Sequence, residues 1–391
     1  MANEWRTAKL GELVAFKTGK LDSNAAVPDG DYPFFTCSQD TLRTNTFSFD
    51  TECVLLAGNN ANGIYPLKYF NGKFDAYQRT YIVRPRDTEV LTTKFLYYAL
   101  RPKLSELRNF STGAATKFLT LTILNETAIE VPPLPVQRRI AGILSAYDEL
   151  MENSQRRIRL LEAMARALYR EWFVHFRFPS HEKLPRVGSP LGNIPKGWQV
   201  KSIQQFGTVI TGKTPSKANA DFYGNDVPFV KTPDMHGNMF ILGTSDCLST
   251  AGSESQANKT LPAGSICVSC IGTIGVVSIT TEDCQTNQQI NSVVLANPAS
   301  REFLFLRLQD SKQTLENLGA NGATMGNVNK GKFEAMEIVC PSDDVLVRYH
   351  RLVEPMFSEI LSLFRQTQNL RRTRDLLLPR LLSGQVNLKE N

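Results

Sequence analysis

Two stretches of the chain carry apolar side chains at alternating steps of four and three residues, the spacing of a heptad seam. The first runs through Ile140, Leu144, Tyr147, Met151, Ser154, Ile158, Leu161, Ala165, Leu168 and Trp172. The second runs through Tyr349, Val353, Met356, Ile360, Leu363, Thr367, Leu370, Arg374, Leu377 and Leu381, and every member lies 209 positions after its counterpart. The pattern predicts a long helix over 134–178 and another over 342–383. Ser154, Thr367 and Arg374 interrupt the seams at different layers, so each stripe is imperfect alone. An antiparallel pair would cover both, as a rod of about 50 Å at 1.5 Å per residue. Pro355 lies inside the second stripe and predicts a kink there or a later helix start.

The segments between the seams have a different texture. Short apolar runs such as VLLA from Val54 and TYIV from Thr80 are broken by Gly, Asn and Pro, with one helical piece at FLYYAL from Phe95, which reads as α+β. This texture occurs twice. Trp5 answers to Trp198, Thr18-Gly19-Lys20 to Thr211-Gly212-Lys213, Tyr32-Pro33-Phe34 to Val227-Pro228-Phe229, Tyr77-Gln78-Arg79 to Asn287-Gln288-Gln289, and FLYYAL to FLFLRL from Phe303. Gly-Ala-Ala-Thr ending at Thr116 precedes Pro133 by 17 residues, and Gly-Ala-Thr ending at Thr324 precedes Pro341 by 17. Matched anchors in one order, at shifts near 200 residues, indicate duplication of a whole domain with its trailing helix. The expected organisation is a first domain at 1–133, a helix at 134–178, a linker at 179–196, a second domain at 197–341, a helix at 342–383 and a tail at 384–391.

Composition narrows the class. Apolar residues make up 42% of the 391 and charged residues 21%, which is globular, and no run reaches the length of a membrane span. Seven scattered cysteines and an N-terminus without a signal-peptide pattern point to a reducing cytoplasm. The net charge of +6 suits local basic grooves rather than a wholly cationic surface. Candidate grooves are the polar loops of the two copies: Lys20, Asn59, Asn60, Asn62, Gln78, Arg79 and Lys117 in the first, and Lys213, Lys217, Lys231, Asn287, Gln288, Gln289 and Lys330 in the second. Asn and Gln can grip adenine, Arg and Lys the guanine edge, and Lys also phosphate, which is the chemistry of reading double-stranded DNA.

Other motifs weigh less. GTVITGKT from Gly207 matches a nucleotide-binding pattern, but the polar run after Pro215 lacks the helix such a loop opens. Cys267 and Cys270 have no second ligand pair, so no metal site is expected. The four histidines sit in separate segments without a nucleophile motif, and Asn297-Pro298-Ala299-Ser300 lacks the aromatic of an adenine-methyltransferase motif. No catalytic residue is proposed.

With VPPLPVQRRIAGIL from Val131, LYREWFVHFRFP from Leu168, NIPKGWQV from Asn193 and LLPRLLSGQV near the C-terminus, the sequence resembles a type I restriction-modification specificity subunit over nearly its whole length. That resemblance implies two target-recognition domains, each reading half of a bipartite asymmetric DNA site, held by two spacer helices. It also implies partners, namely two methyltransferase subunits and restriction subunits, with S-adenosylmethionine, ATP and Mg in those partners and no cofactor in this chain. The second copy departs from the pattern in IVCPSDDVLVRYH, which leaves its helix start open. The rival readings are an NTP- or S-adenosylmethionine-binding enzyme acting on DNA and a coiled-coil scaffold without nucleic acid.

Overall fold

A computed structural model of the chain describes residues 5–60, 63–110, 117–320, 326–386 and 388. Asn62 and the two Gly-Ala-Thr segments lie outside them. The chain forms two compact units, Met1–Asn153 with Thr367–Asn391, and Ser154–Gln366.

In the first unit, strands alternate side chains between two buried faces, as period-two geometry requires. Within Phe49–Ala57, Cys53 and Leu55 join Phe35, Phe74 and Ile82 on one face, while Val54 and Leu56 join Val14, Val83 and Phe95 on the other. The described residues form a six-stranded sheet in the order Val14–Thr18, Thr80–Pro85, Phe49–Ala57, Leu67–Ala76, Tyr32–Phe35, Leu42–Thr44. Only Tyr32–Phe35 against Leu67–Ala76 is parallel. The second unit divides the corresponding strands between a five-stranded sheet containing Gly207–Thr211, Ile290–Leu295 and Ile266–Ser269, and a four-stranded sheet in which Val227–Val230 runs parallel to Gln285–Thr286. In each unit an antiparallel pair, Arg6–Lys9 with Ala128–Val131 or Gln199–Ser202 with Glu337–Cys340, brings the domain's start against its end just before a long helix. Both units are therefore α+β, and the duplication is one of structure as well as sequence.

The repeat is closest where the backbone is most crowded. Gly19 donates to Thr80 O and Gly212 to Ile290 O; Lys20 donates to Ala76 O and Lys213 to Thr286 O; Tyr77 donates to Phe35 O and Asn287 to Val230 O. A turn closes each clasp, with Thr80 N on Tyr77 O at 2.8 Å and Ile290 N on Asn287 O at 3.2 Å. A Cβ on Gly19 would lie 2.0 Å from Ala76 O, and one on Gly212 2.2 Å from Asn287 O. The Thr-Gly-Lys match is thus a steric requirement: only glycine lets these strands approach closely enough to hold residues 77–80 and 287–290 in place.

The first long helix is Leu134–Tyr169 and the second Asp343–Leu382. In the first unit, Ile140, Ala141 and Leu144 near the start of one helix share a core with Leu377, Leu378 and Leu381 near the end of the other. In the second unit, Ile158, Ala165 and Trp172 share a core with Tyr349, Val353, Phe357, Ile360 and Leu363, and the Tyr349 hydroxyl donates to Ala165 O. The pairing inside each unit is antiparallel. Met151, Tyr147, Leu161, Leu168, Met356 and Leu370 are half-buried, and Ser154 is buried. Tyr169 and Phe357, beside the expected Leu168 and Met356, are the fully buried members. Arg374 sits in the seam because Asp148 and Asp375 accept from it, while Asp148 also accepts from Tyr98.

Several expectations are corrected. The first helix does not reach 178; it ends in a π turn at Arg170–Val174, and Phe176 then takes a positive φ of 58°. That exit builds an aromatic cluster in which Phe173 meets Tyr349 and Phe303 at 4.7 Å, and Phe178 meets Trp198 at 5.1 Å. The stretch 179–196 is no linker, since Arg186–Ser189 and Gly192–Pro195 form a hairpin and Ile194 enters the core of the second unit. Domains and helices are also not separate blocks, because each helix contributes to the cores of both units. Pro355 neither starts nor ends the second helix. It and Arg351, whose carbonyl loses its amide partner to the proline, are both exposed residues. The sequence departure at that helix start has a local reason. Gln137, fully buried, accepts from Thr92 N and donates to Val90 O and Pro132 O, whereas the corresponding Leu346 is buried among apolar residues.

Two stability predictions follow from this packing. Asp148→Ala should lower the stability of the first unit by about 2–3 kcal/mol, because it strips charged hydrogen bonds from Arg374 and Tyr98; adding Arg374→Leu should recover part of the loss. Denaturant midpoints of the two variants check this, and equal losses would contradict it. Gly212→Ala should destabilise by about 1–3 kcal/mol through overpacking and remove hydrogen-exchange protection at Lys213 and Asn287. In contrast, Gly142→Ala, mid-helix with nothing within 4 Å of its Cβ position, should stabilise by about 0.5–1 kcal/mol. Equal effects of the two alanines would refute the steric account.

Candidate nucleic-acid interface

In the first unit the clasp gathers most of the candidates on one rim. Residues 77–80 form its lip, with Gln78 and Arg79 exposed and Lys20 exposed on the facing strand end. Gly58 donates to Arg79 O at 2.8 Å, which carries Asn59 and Asn60 alongside. Asn59 and Asn60 pair in turn with Phe118 and Lys117 across a two-residue bridge. The Arg79 guanidinium lies over the Phe118 ring at 5.4 Å, a cation–π contact that restrains its position. Gln78 Nε2 donates to Asp22, and Cys37 donates to Asn59 Oδ1 at 2.9 Å. Behind the rim, Lys68 donates to the carbonyls of Ser38 and Asp40, and burial holds its ammonium below the ordinary lysine value. It is a strut for the loop at 36–41.

The second unit repeats the frame with other side chains. Cys270 donates to Gln289 O at 2.7 Å as Gly58 does to Arg79 O, and Val328 donates to Cys270 O as Leu119 does to Gly58 O, both at 2.9 Å. The bridge between Ile271 and Asn327 stands where Asn59 meets Phe118. Lys213 and Gln288 are exposed, and Thr214 donates to Gln288 Oε1. Asn287, in contrast, is buried at 8% exposure and donates to Gln289 Oε1 at 3.0 Å, which makes it the support of Gln289. Lys231 is not part of the rim's surface charge, because Asp246 binds its ammonium at 2.7 Å. Lys217 lies exposed beyond the clasp, and Lys330 opens the helix Lys330–Glu334, 3.4 Å from Glu334.

Sequence reasoning missed Phe118, Cys37 and Asn327. Each is contributed by a bridge or loop distant in sequence from the clasp, and nothing local marks it.

The nucleotide-loop reading fails on geometry. Gly207–Thr211 is a strand paired with Ile290–Leu295, a Cβ on Gly207 would strike Val294 O at 2.0 Å, and no helix begins at Lys213. Cys267 and Cys270 are buried thiols whose burial pushes them up to about 12 and about 11, and no group of three or more potential metal ligands occurs among the described residues. No helix among the described residues is long and apolar enough to cross a membrane.

Comparison with known proteins agrees with this duplicated frame. A family model for the type I restriction modification DNA specificity domain matches twice, at residues 2–163 and 195–345. The specificity subunit of the HindI type I restriction enzyme of Haemophilus influenzae is 33% identical over 325 residues, covering 68% of this chain and 71% of that protein. The MjaIX specificity subunit of Methanocaldococcus jannaschii is 26% identical over 314 residues, 78% of this chain and 71% of that one. The crystal structure of a type I restriction-modification S subunit from M. genitalium shares the fold, with a TM-score of 0.69 over 97% of this chain and 96% of that one at 15% identity. Two clasped domains, each matched by the same family model and each followed by a long helix, place the chain in the family of type I restriction-modification DNA specificity subunits.

Proposed function

We propose that each unit reads one half of a bipartite, asymmetric site in double-stranded DNA, and that the long helices dock two methyltransferase subunits and the restriction subunits. The observation that carries this is the repeated clasp. One backbone frame, held by matched hydrogen bonds, presents Lys20, Asn59, Gln78 and Arg79 in one unit and Lys213, Gln288 and Gln289 in the other. A constant frame with a variable polar lip suits sequence readout: the frame fixes register on the phosphates, and the lip meets the base edges. Different lips on equal frames would give half-sites of different sequence.

In this reading the chain forms and breaks no covalent bond. S-adenosylmethionine, ATP and Mg belong to its partners, and the assembly works in the cytoplasm. Lys20 and Lys213, each set at the clasp beside a strand end, are assigned to phosphates.

The test is a salt titration of binding between duplex DNA and the full chain assembled with its methyltransferase subunits. Lys20→Ala and Lys213→Ala should each weaken binding to all sequences alike and lower the slope of log K against log salt by about one. An unchanged slope would remove the phosphate assignment. Failure of the wild-type assembly to bind DNA even at low salt would favour the scaffold reading, and tight ATP or S-adenosylmethionine binding by this chain would favour an enzyme.

A further inference from the structure

The two clasps share the backbone bonds that flank positions 79 and 289, which makes these the same place in two readers, although Leu21 adds bonds to Ala76 and Gln78 in the first clasp alone. The carbonyl of each is fixed by the amide of an equivalent residue, Gly58 or Cys270, and each lies one residue before the strand that closes the clasp. What differs is the side chain and what steers it. Arg79 is exposed and lies over Phe118. Gln289 is half-buried, and its Oε1 accepts from Asn287 Nδ2 at 3.0 Å and from Thr232 Oγ1 at 3.5 Å.

From this pairing we infer that residues 79 and 289 are equivalent specificity determinants, Arg79 selecting a guanine in one half-site and Gln289 an adenine in the other. The inference rests on the DNA-reading function proposed above and adds which residue reads which base. Arginine has donors only, in a rigid fork, so the base edge it fits is the one with two adjacent acceptors, guanine O6 and N7. The cation–π contact with Phe118 restrains where that fork lies before DNA arrives. A glutamine offers one donor and one acceptor, the complement of adenine N7 and N6. Asn287 orients the Gln289 amide, while the Thr232 contact, at the outer edge of hydrogen-bond length, yields to an adenine amino group. The two positioning residues are thus also paired: an aromatic plate for the cation and a buried amide for the amide.

The experiment is enrichment of duplexes from a randomised DNA library by the full chain assembled with its methyltransferase subunits, comparing wild type, Arg79→Gln, Gln289→Arg and Phe118→Leu. The wild type should enrich a split site with a G·C pair in one half and an A·T pair in the other at the positions these variants alter. Arg79→Gln should shift one position in one half-site from guanine towards adenine by roughly 10- to 100-fold, leaving the other half-site unchanged. Gln289→Arg should make the converse change in the other half only. Phe118→Leu should weaken the guanine preference at the Arg79 position by about 10-fold without installing a new base, which separates orientation of the fork from reading by it.

A wild-type split site whose bases are unmoved by either swap would overturn the assignment while leaving the DNA-reading function intact. So would a preference that disappears in Arg79→Gln, with hydrogen-exchange protection of the clasp retained, without a new base replacing it. No enriched sequence with the wild-type assembly would instead remove the underlying function and the assignment together.

Discussion

Everything distinctive about this chain depends on a close approach of backbone to backbone that a single Cβ would forbid. At Gly19 and Gly212 the neighbouring carbonyls stand about where a methyl group would go. The strands Val14–Thr18 and Gly207–Thr211 therefore run into a lock with the loop before Thr80–Pro85 or Ile290–Leu295, through amides and carbonyls alone. Because the lock uses no side chain except the missing one, the lip it holds can vary freely in chemistry. The first unit uses this freedom for an arginine on an aromatic plate and the second for a glutamine steadied by a buried asparagine. The two units thus share a backbone frame and differ in the side chains it presents.

The long helices follow a similar economy of parts. Each begins in the core of the unit it trails and ends in the core of the other, with apolar seams buried in both. Two polar exceptions on the helices are answered locally, Arg374 by Asp148 and Asp375 and Gln137 by three backbone groups, as is the buried Glu302 by His350 and Arg301; the Thr367 hydroxyl is buried with no hydrogen-bond partner. A buried charge or amide with all its partners in place costs little and fixes the register of what surrounds it, whereas one with a partner removed is costly.

Much of this was legible in the sequence, for identifiable reasons. The duplication showed because its anchors recur in one order, and at one of them, Gly19 and Gly212, the backbone approach leaves no room for a Cβ. The helices showed because a 3.5-residue repeat persists through more than thirty residues. Three kinds of feature did not show. Which seam members are fully buried, Phe357 beside Met356 or Tyr169 beside Leu168, depends on side-chain direction finer than a heptad count. Pro355 left the start of the second helix open because a proline on an exposed face can sit inside a helix, as this one does. Finally, Phe118 and Asn327 reach the site through bridges from distant sequence. Lys231 and Asn287 are engaged within their own unit, by Asp246 and Gln289, which the sequence does not show.

The most direct test of the account is genome-wide adenine methylation in a host expressing this chain with its methyltransferase partner, set against the same host lacking only this chain. The account predicts a split, asymmetric methylated motif that vanishes when the chain is absent while the methyltransferase is still produced. The same motif persisting without the chain would contradict it, since the sequence would then be read by another protein.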